Sequence, residues 1–375
     1  MKKLLALHYR PPYKNGRSNS FGQYYFHEVF SKYFEVRGLS FGEQGENLTN
    51  FYIIHLESSP FKKIKKFIFQ FESVRLTHFN SSKFRKILLE QLSQFDPDII
   101  YVEHIVMMQY LVDIKTKAKV ILFDDDSFLY AKENNLEGSI YQKIRNIGLA
   151  DFEMEAIERA DYILTITDSE KSFLESLGYK NVFCVPYGID TDYYSFKWKK
   201  PAEDSVLFVG NMEHYPNREA VIYIMKHFYE ALIKMKVKIK IVGRNIHRIR
   251  RNLRTDVEVY EDVQDVRPYY WNSSMFIAPI LSGAGMRIKV LEAAACGIPL
   301  ILSDLANMGF CFKENESIVV TNELPNIINK IRYNIQSEPL EMQNLSLNAR
   351  RKIEKEYSIQ SSKEKFLNVL KQIEE

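Results

Sequence analysis

Short apolar runs bounded by turn residues alternate with stretches of helical period along most of the chain. In the first half LLALHY (4–9), DIIYVEH (98–104), KVILFDD (119–125), DYILTIT (161–167) and NVFCVPY (181–187) predict strands. In the second half VLFVG (206–210), KIKIVG (238–243), VEVY (257–260), MFIAPI (275–280), PLILS (299–303) and SIVVT (317–321) do the same. Runs this continuous suit strands buried on both faces, the condition of a parallel sheet with helices on either side. The stretch FKWKKPAED (196–204) between the two groups is polar and carries a proline, as a linker does. The expected architecture is therefore α/β, two Rossmann-like domains over 1–195 and 205–356 with open sheets facing across a cleft. Ligands of such sheets bind beyond the carboxyl ends of the strands.

Composition narrows the function classes. At 375 residues the chain is too long for one core and suits two. A formal net charge of +3, with basic residues spread along the chain, gives no footprint for nucleic acid. The run HRIRRNLR (247–254) reads as a solvated helix face. Cys184, Cys296 and Cys311 form neither a paired framework nor a metal spacing, which fits a reducing cytoplasm. Met1–Tyr9 has too short an apolar run for a signal peptide and reads as a buried first strand. No apolar window is long enough to span a bilayer. The segment KKIKKFIFQF (62–71) mixes cations with aromatics; it is either an ordinary exposed helix or one lying on the inner face of the cytoplasmic membrane.

The stretch GAGMRIKVLEAAACGIPLILSD (283–304) carries the most chemistry. It predicts a glycine loop, a short helix, and a Gly-x-Pro turn into a strand. Arg287 and Lys289 fall in the helix's first turn, where the peptide dipoles disfavour each cation by roughly 0.3–1 kcal/mol. Two cations at a positive helix end make sense when an anion lies between them, and phosphate is the usual guest. Gly283 and Gly285 let backbone approach that anion closely. Glu292 is placed to accept from neutral hydroxyls such as those of a ribose. The plain alternative is an amphipathic helix burying Val290, Leu291, Ala293 and Ala294, its polar residues merely solvated.

Residues 205–310 resemble the donor-binding half of the retaining GT-B glycosyltransferases of family four, also called glycosyl transferases group 1. KVLEAAACGIPLILSD resembles their nucleotide-sugar motif, in the branch with a GxGxRxKxLEA pattern; VLFVGNMEHYPNREAV resembles the opening strand, glycine loop and helix of the donor domain. VEVYEDVQDVRPYYWNSSMFIAPI resembles the section that shapes the base pocket, and the likeness reaches back through DYILTITDSEKSFLE and VPYGIDTDYYS. The resemblance implies transfer of a hexose or related sugar from a nucleotide-diphosphate sugar to a hydroxyl, with retention and without a metal or other cofactor, the nucleotide sugar being a substrate. It implies a glycan or lipid-linked acceptor, closure about Gly188 and Asp190, and a final helix (357–375) that packs back on the first domain. Arg287, Lys289 and the backbone of Gly283, Ala284, Gly285 and Met286 would meet the charge growing on the leaving phosphate. Gly210, Asn211, Arg244 and the Tyr260–Val263 loop would frame the rest of the donor, with Val263 at the base. Relatives carry a second glutamate eight positions before Glu292, where this chain has Ala284, and an arginine where it has Asn211; Arg218 is the only cation near that place. An epimerase of the same fold, or a non-catalytic relative that binds a partner, remain the alternatives.

On the acceptor side the loop RPPYKNGRSNSFG (10–22) offers Gly16 and Arg17, and strand ends offer His8 and His104, with Glu103 beside the latter. The triplet Asp124–Asp126 stands where many relatives have a histidine, and adjacent carboxylates at a strand end often mark a site. Asp126 is the candidate base for the acceptor hydroxyl; a helix N-cap by Asp126 or Ser127 is the structural alternative.

Overall fold

The computed structural model describes residues 1–12, 18–42, 50–55, 74–313, 319–320 and 326–374. Gly16, Arg17 and the 62–71 segment lie outside them. The chain forms two compact units. The first comprises Met1–Tyr187, Ala284–Met286 and Ser362–Glu375; the second comprises Gly188–Gly283 and Arg287–Ser361.

The first unit holds a seven-stranded parallel sheet of β1 (Lys3–His8), β2 (Glu35–Phe41), β3 (Phe51–Ile54), β4 (Ile99–Glu103), β5 (Lys119–Asp124), β6 (Tyr162–Thr165) and β7 (Val182–Cys184). Its order is β3-β2-β1-β4-β5-β6-β7, so the direction of winding reverses between β1 and β4. β2 and β3 are absent from the hydrophobic pattern. β2 carries Glu35, Arg37 and Gly38, and β3 is a four-residue edge strand whose Tyr52 is exposed, so neither reads as a buried run. Period-two alternation gives the sheet two buried faces. Leu5, Leu7, Ile100, Val102 and Leu122 pack with Phe84, Leu88 and Met108 on one side. On the other, Tyr101 and Phe123 meet Phe26 and Phe30, and Phe366 of the Ile359–Glu374 helix completes that aromatic layer with centroid distances of 4.4 Å to Phe26 and 5.2 Å to Phe30. The same helix is tied down by Ser362 Oγ donating to Pro186 O (2.6 Å), Lys119 Nζ donating to Ile373 O (2.6 Å) and a Lys363–Glu28 ion pair. Burial of the Phe366 ring alone stabilises by about 1.5–3 kcal/mol.

The second unit holds a six-stranded parallel sheet of β8 (Ser205–Asn211), β9 (Lys238–Arg244), β10 (Glu258–Glu261), β11 (Met275–Ala278), β12 (Leu300–Leu302) and β13 (Val319–Val320), in the order β10-β9-β8-β11-β12-β13. Its reversal lies between β8 and β11. Leu207, Phe208, Ile241, Phe276, Ile277 and Ile301 are fully buried in its core. Arg350 of the Pro339–Glu356 helix is nearly buried and donates to Thr191 O (2.8 Å), Tyr194 O (2.6 Å) and Ala295 O (2.8 Å) while pairing with Glu354. The 196–204 stretch packs with this unit: Lys197 N–H donates to Cys296 O, Lys238 pairs with Glu203, and a Cβ on Gly297 would lie 2.6 Å from the Phe196 ring. Gly188–Asp190 run beside Tyr357–Ile359, with Ile189 N–H on Tyr357 O (2.8 Å) and Ile359 N–H on Ile189 O (3.1 Å). The HRIRRNLR run is not an α-helical face; it forms two short 3₁₀ turns, Ile246–Arg248 and Arg250–Asn252, because Asn245 enters in the left-handed region and Ile249 turns inward to full burial.

Candidate functional site

In the second unit the sequence-marked residues converge at the carboxyl ends of β8 and β11, the reversal point where open parallel sheets bind ligands. Gly210 and Gly243 are paired in register across β8 and β9. A Cβ on Gly243 would stand 1.8 Å from Gly210 O, so the strand exit tolerates no side chain there. Asn211 Oδ1 accepts from Asn245 Nδ2 (2.8 Å) and from Glu213 N–H (3.0 Å), which shapes the loop after β8. Arg244 is half exposed and pairs loosely with Asp262 at 3.8 Å. Val263 follows Asp262, whose left-handed turn is fixed by its N–H on Gly243 O (2.9 Å).

The glycine loop after β11 has Gly283 at φ +94° and Gly285 at φ +75°, values that L side chains adopt only with strain. The motif helix is Ile288–Cys296, closed by Gly297 in the left-handed region. Arg287 is therefore its N-cap position rather than part of its first turn, while Lys289 lies inside that turn. Arg287 Nη2 donates to Gly283 O (2.6 Å) and holds the loop closed on itself. Lys289 Nζ donates to Asn217 Oδ1 and lies 4.7 Å from the Phe208 ring centroid. Burial, then the Arg287 charge, lowers its pKa to about 7. Asn217 Nδ2 in turn donates to Asn211 O (2.8 Å), so one amide joins the cation to the β8 loop. Sequence reasoning passed over Asn217; its place in the first turn of the Tyr215–Tyr223 helix, just after a glycine loop, was the available signal. Arg218 donates to Met212 O (2.6 Å) and Glu213 O (2.8 Å), bracing that loop.

Glu292 is neither solvated nor left open. Its two oxygens accept from Tyr194 OH (3.0 Å) and Tyr270 OH (2.9 Å), and burial raises its carboxyl pKa against those hydrogen bonds. The motif helix buries Val290, Leu291, Ala293 and Ala294 as well, so packing and chemistry occupy different sides of it.

The first unit collects titratable groups at its own reversal point. His8 ends β1 and Glu103 ends β4; His8 Nδ1 and Glu103 Oε2 are 2.6 Å apart and both side chains are buried. Burial pushes the His8 pKa down to about 3 and the Glu103 pKa well up, so it disfavours the charged form of each. Glu103, the sequence neighbour of His104, meets His8 instead. His104 adopts φ +70° and caps the Ile105–Tyr110 turn, its Nδ1 accepting from Val106 N–H (3.2 Å), because the tight exit from β4 turns its ring away.

Asp124 and Asp125 are buried and Asp126 is partly exposed. Burial, then repulsion from Glu153, Glu170 and Asp125, raises Asp124 well above the carboxylate range. Asp125 accepts from Tyr187 OH (3.0 Å), yet burial and Glu103 push its pKa up to about 8. Ser127, not Asp126, caps the Phe128–Glu133 helix by accepting from Tyr130 N–H (3.1 Å). Glu153 accepts from Ser127 Oγ (2.5 Å) and from Phe128 and Leu129 N–H (2.7 and 2.9 Å). Glu170 accepts from Thr167 Oγ1 (2.8 Å) and from Gly285 N–H (3.1 Å); burial sets both glutamates near pKa 7. Among the described residues no group of three or more His, Cys, Asp or Glu has metal-holding geometry, and no helix is long and apolar enough to cross a membrane.

A protein of the cps region of Klebsiella pneumoniae is 24% identical over 131 residues, which cover 32% of this chain and 34%, about a third, of that protein. Among solved structures, sucrose-phosphate synthase from Thermosynechococcus elongatus superposes with a TM-score of 0.75 at 14% identity, covering 99% of both chains. Trehalose 6-phosphate synthase from Burkholderia multivorans gives 0.69 at 14% identity over 100% and 99%. HepE of Anabaena, solved with UDP and glucose, gives 0.69 at 11% identity over 99% and 100%. These likenesses establish the GT-B type of α/β fold. Residues 203–336, which contain the glycine loop, Arg287, Lys289 and Glu292, match the family model described as "Glycosyl transferases group 1".

Proposed function

We propose that the chain is a glycosyltransferase that moves a sugar from a nucleotide-diphosphate donor to a hydroxyl of a glycan or lipid-linked acceptor, with retention of anomeric configuration. The observation that carries this reading is the cradle of Gly283, Arg287 and Lys289 at the reversal point of the second sheet. Breaking the bond to the anomeric carbon leaves negative charge on a diphosphate, and preorganised cations and amides there are the largest catalytic term on offer. A diphosphate would take the Arg287 guanidinium from Gly283 O and draw a proton back onto Lys289. Glu292, already an acceptor of two hydroxyls, would exchange one of them for a ribose hydroxyl. The matched family and the sucrose- and trehalose-phosphate synthases support a sugar donor, and the HepE complex supports a uridine nucleotide. On the acceptor side Asp126 is the proposed base, since Asp125 keeps its proton to about pH 8.

Thermal melting with UDP, GDP and ADP tests the cradle. A nucleotide at a hundredfold over its Kd stabilises the folded chain by about 2.7 kcal/mol. The shift should shrink in Arg287→Ala and Lys289→Ala. Incubation of the corresponding nucleotide sugar with acceptor extract should then yield a glycoside. Release of an isomerised sugar from donor alone would replace this reading by the epimerase, and binding without turnover by a non-catalytic role.

A further inference from the structure

The basic run at 247–254 and the helix beside it form a groove that the phosphate cradle does not use. Ile222, Met225, Lys226, Arg251, Leu253 and Arg254 line it, around about 350 Å³ of space open to solvent. That is within the size range of small-ligand sites. Lys226 lies roughly 13 Å along the helix from Asn217, at 1.5 Å per residue, so the groove is separate from the cradle.

Its backbone and its charges are both unusual. The helical run from Tyr215 to Lys234 is interrupted at Ile224–Phe228 by one wider π turn, which carries Met225 and Lys226. Such turns are rare and occur often at functional sites. Arg244 and Arg248 pair with Asp262 and Glu213, yet no carboxylate among the described residues pairs with Lys226, Arg251 or Arg254. The acids beside them in sequence are Glu230 and Asp256. Asp256 is engaged by Tyr229 OH at 2.8 and 2.9 Å, and the Arg254 guanidinium lies 5.6 Å from the centroid of that ring. Lys226, Arg250, Arg251 and Arg254 therefore outnumber the two acids. Between these cations Ile222 is left 39% exposed.

We propose that this groove docks the protein on an anionic bilayer, seating a phospholipid phosphodiester among Lys226, Arg251 and Arg254. Guanidinium groups fork onto phosphate oxygens. Ile222, Met225 and Leu253 offer the glycerol and the first acyl carbons an apolar wall, which a soluble anion would leave wet. Basic and aliphatic side chains that share one exposed face are the chemistry of proteins lying on membranes.

Flotation of the full-length chain with vesicles of phosphatidylcholine, with and without phosphatidylglycerol, tests the proposal. The chain should bind the anionic vesicles alone, and less at high salt. Each cation near such a surface contributes about fivefold, so Lys226→Gln, Arg251→Gln and Arg254→Gln combined should weaken binding about a hundredfold. All three side chains are exposed, so the variant keeps its fold and its nucleotide-dependent melting shift. Ile222→Ser should also weaken binding, with charge unchanged. Lys199→Gln, Lys200→Gln and Lys355→Gln combined remove equal charge elsewhere and should stay within about twofold of wild type. No binding to anionic vesicles, equal loss in the two triple variants, or binding kept in the first overturns the proposal. So does glycerol 3-phosphate binding as tightly as vesicle phosphatidylglycerol, which would make the groove a site for a free anion. The melting shift reads the donor cradle separately, so failure of one reading leaves the other standing.

Discussion

Lys289 is the residue whose chemistry depends most on its surroundings. Its ammonium is sheltered beside Phe208 and Arg287, and its pKa falls to about 7. An arriving diphosphate favours the charged form. Binding therefore takes up a proton above pH 7, and nucleotide affinity should fall as pH rises from 7 to 9, a loss that Lys289→Met abolishes; calorimetry in buffers of different ionisation enthalpy reads the proton directly. Removing Arg287 should cost about 1.5–3 kcal/mol of transition-state stabilisation, a ten- to hundredfold loss of kcat/KM. Asn217→Leu should weaken nucleotide binding as well, though Asn217 bears no charge, because Lys289 loses its anchor. At this scale the cations, the glycines and Glu292 were readable from sequence, since a helix start that tolerates two positive side chains is a local anomaly. Asn217 and the tyrosines on Glu292 were not, because their partners lie far away in the chain.

Among elements, the exits of β1, β4 and β5 concentrate proton-holding acids. Asp125, Glu153 and Glu170 keep their protons to about pH 8, 7 and 7 in the folded chain, whereas unfolded carboxyls ionise near pH 4. Between those limits the folded state binds more protons, so stability declines as pH rises from about 5 to 8. The melting temperature should fall over that range, and the fall should shrink in Glu170→Gln. Gly243→Ala at the β8–β9 exit should cost about 3 kcal/mol or more, since the new methyl group meets backbone at Gly210 that cannot swing aside. The doubly buried strands announced themselves as apolar runs. β2 did not, because Glu35, Arg37 and Gly38 interrupt its apolar run, and neither did β3, a four-residue edge strand. The HRIRRNLR turns were misread for a related reason: charge density suggests a solvated helix, while one inward isoleucine breaks the period.

At the scale of the molecule, two sheets of alternating strand and helix were legible because repetition of one local rule specifies them. The chain's return to its first unit follows from a few long-range contacts. Phe366→Ala should destabilise by about 3–5 kcal/mol, as the ring fills a layer with Phe26 and Phe30. Chemical denaturation followed by near-ultraviolet circular dichroism measures that loss.

That last helix has a bearing on biosynthesis. Ser362–Glu375 belong with strands translated long before them, so the first sheet leaves the ribosome with an aromatic surface still uncovered. Until that helix follows, the surface is open to chaperones and to neighbouring nascent chains. A premature stop within that helix would thus injure a part of the chain made well before it.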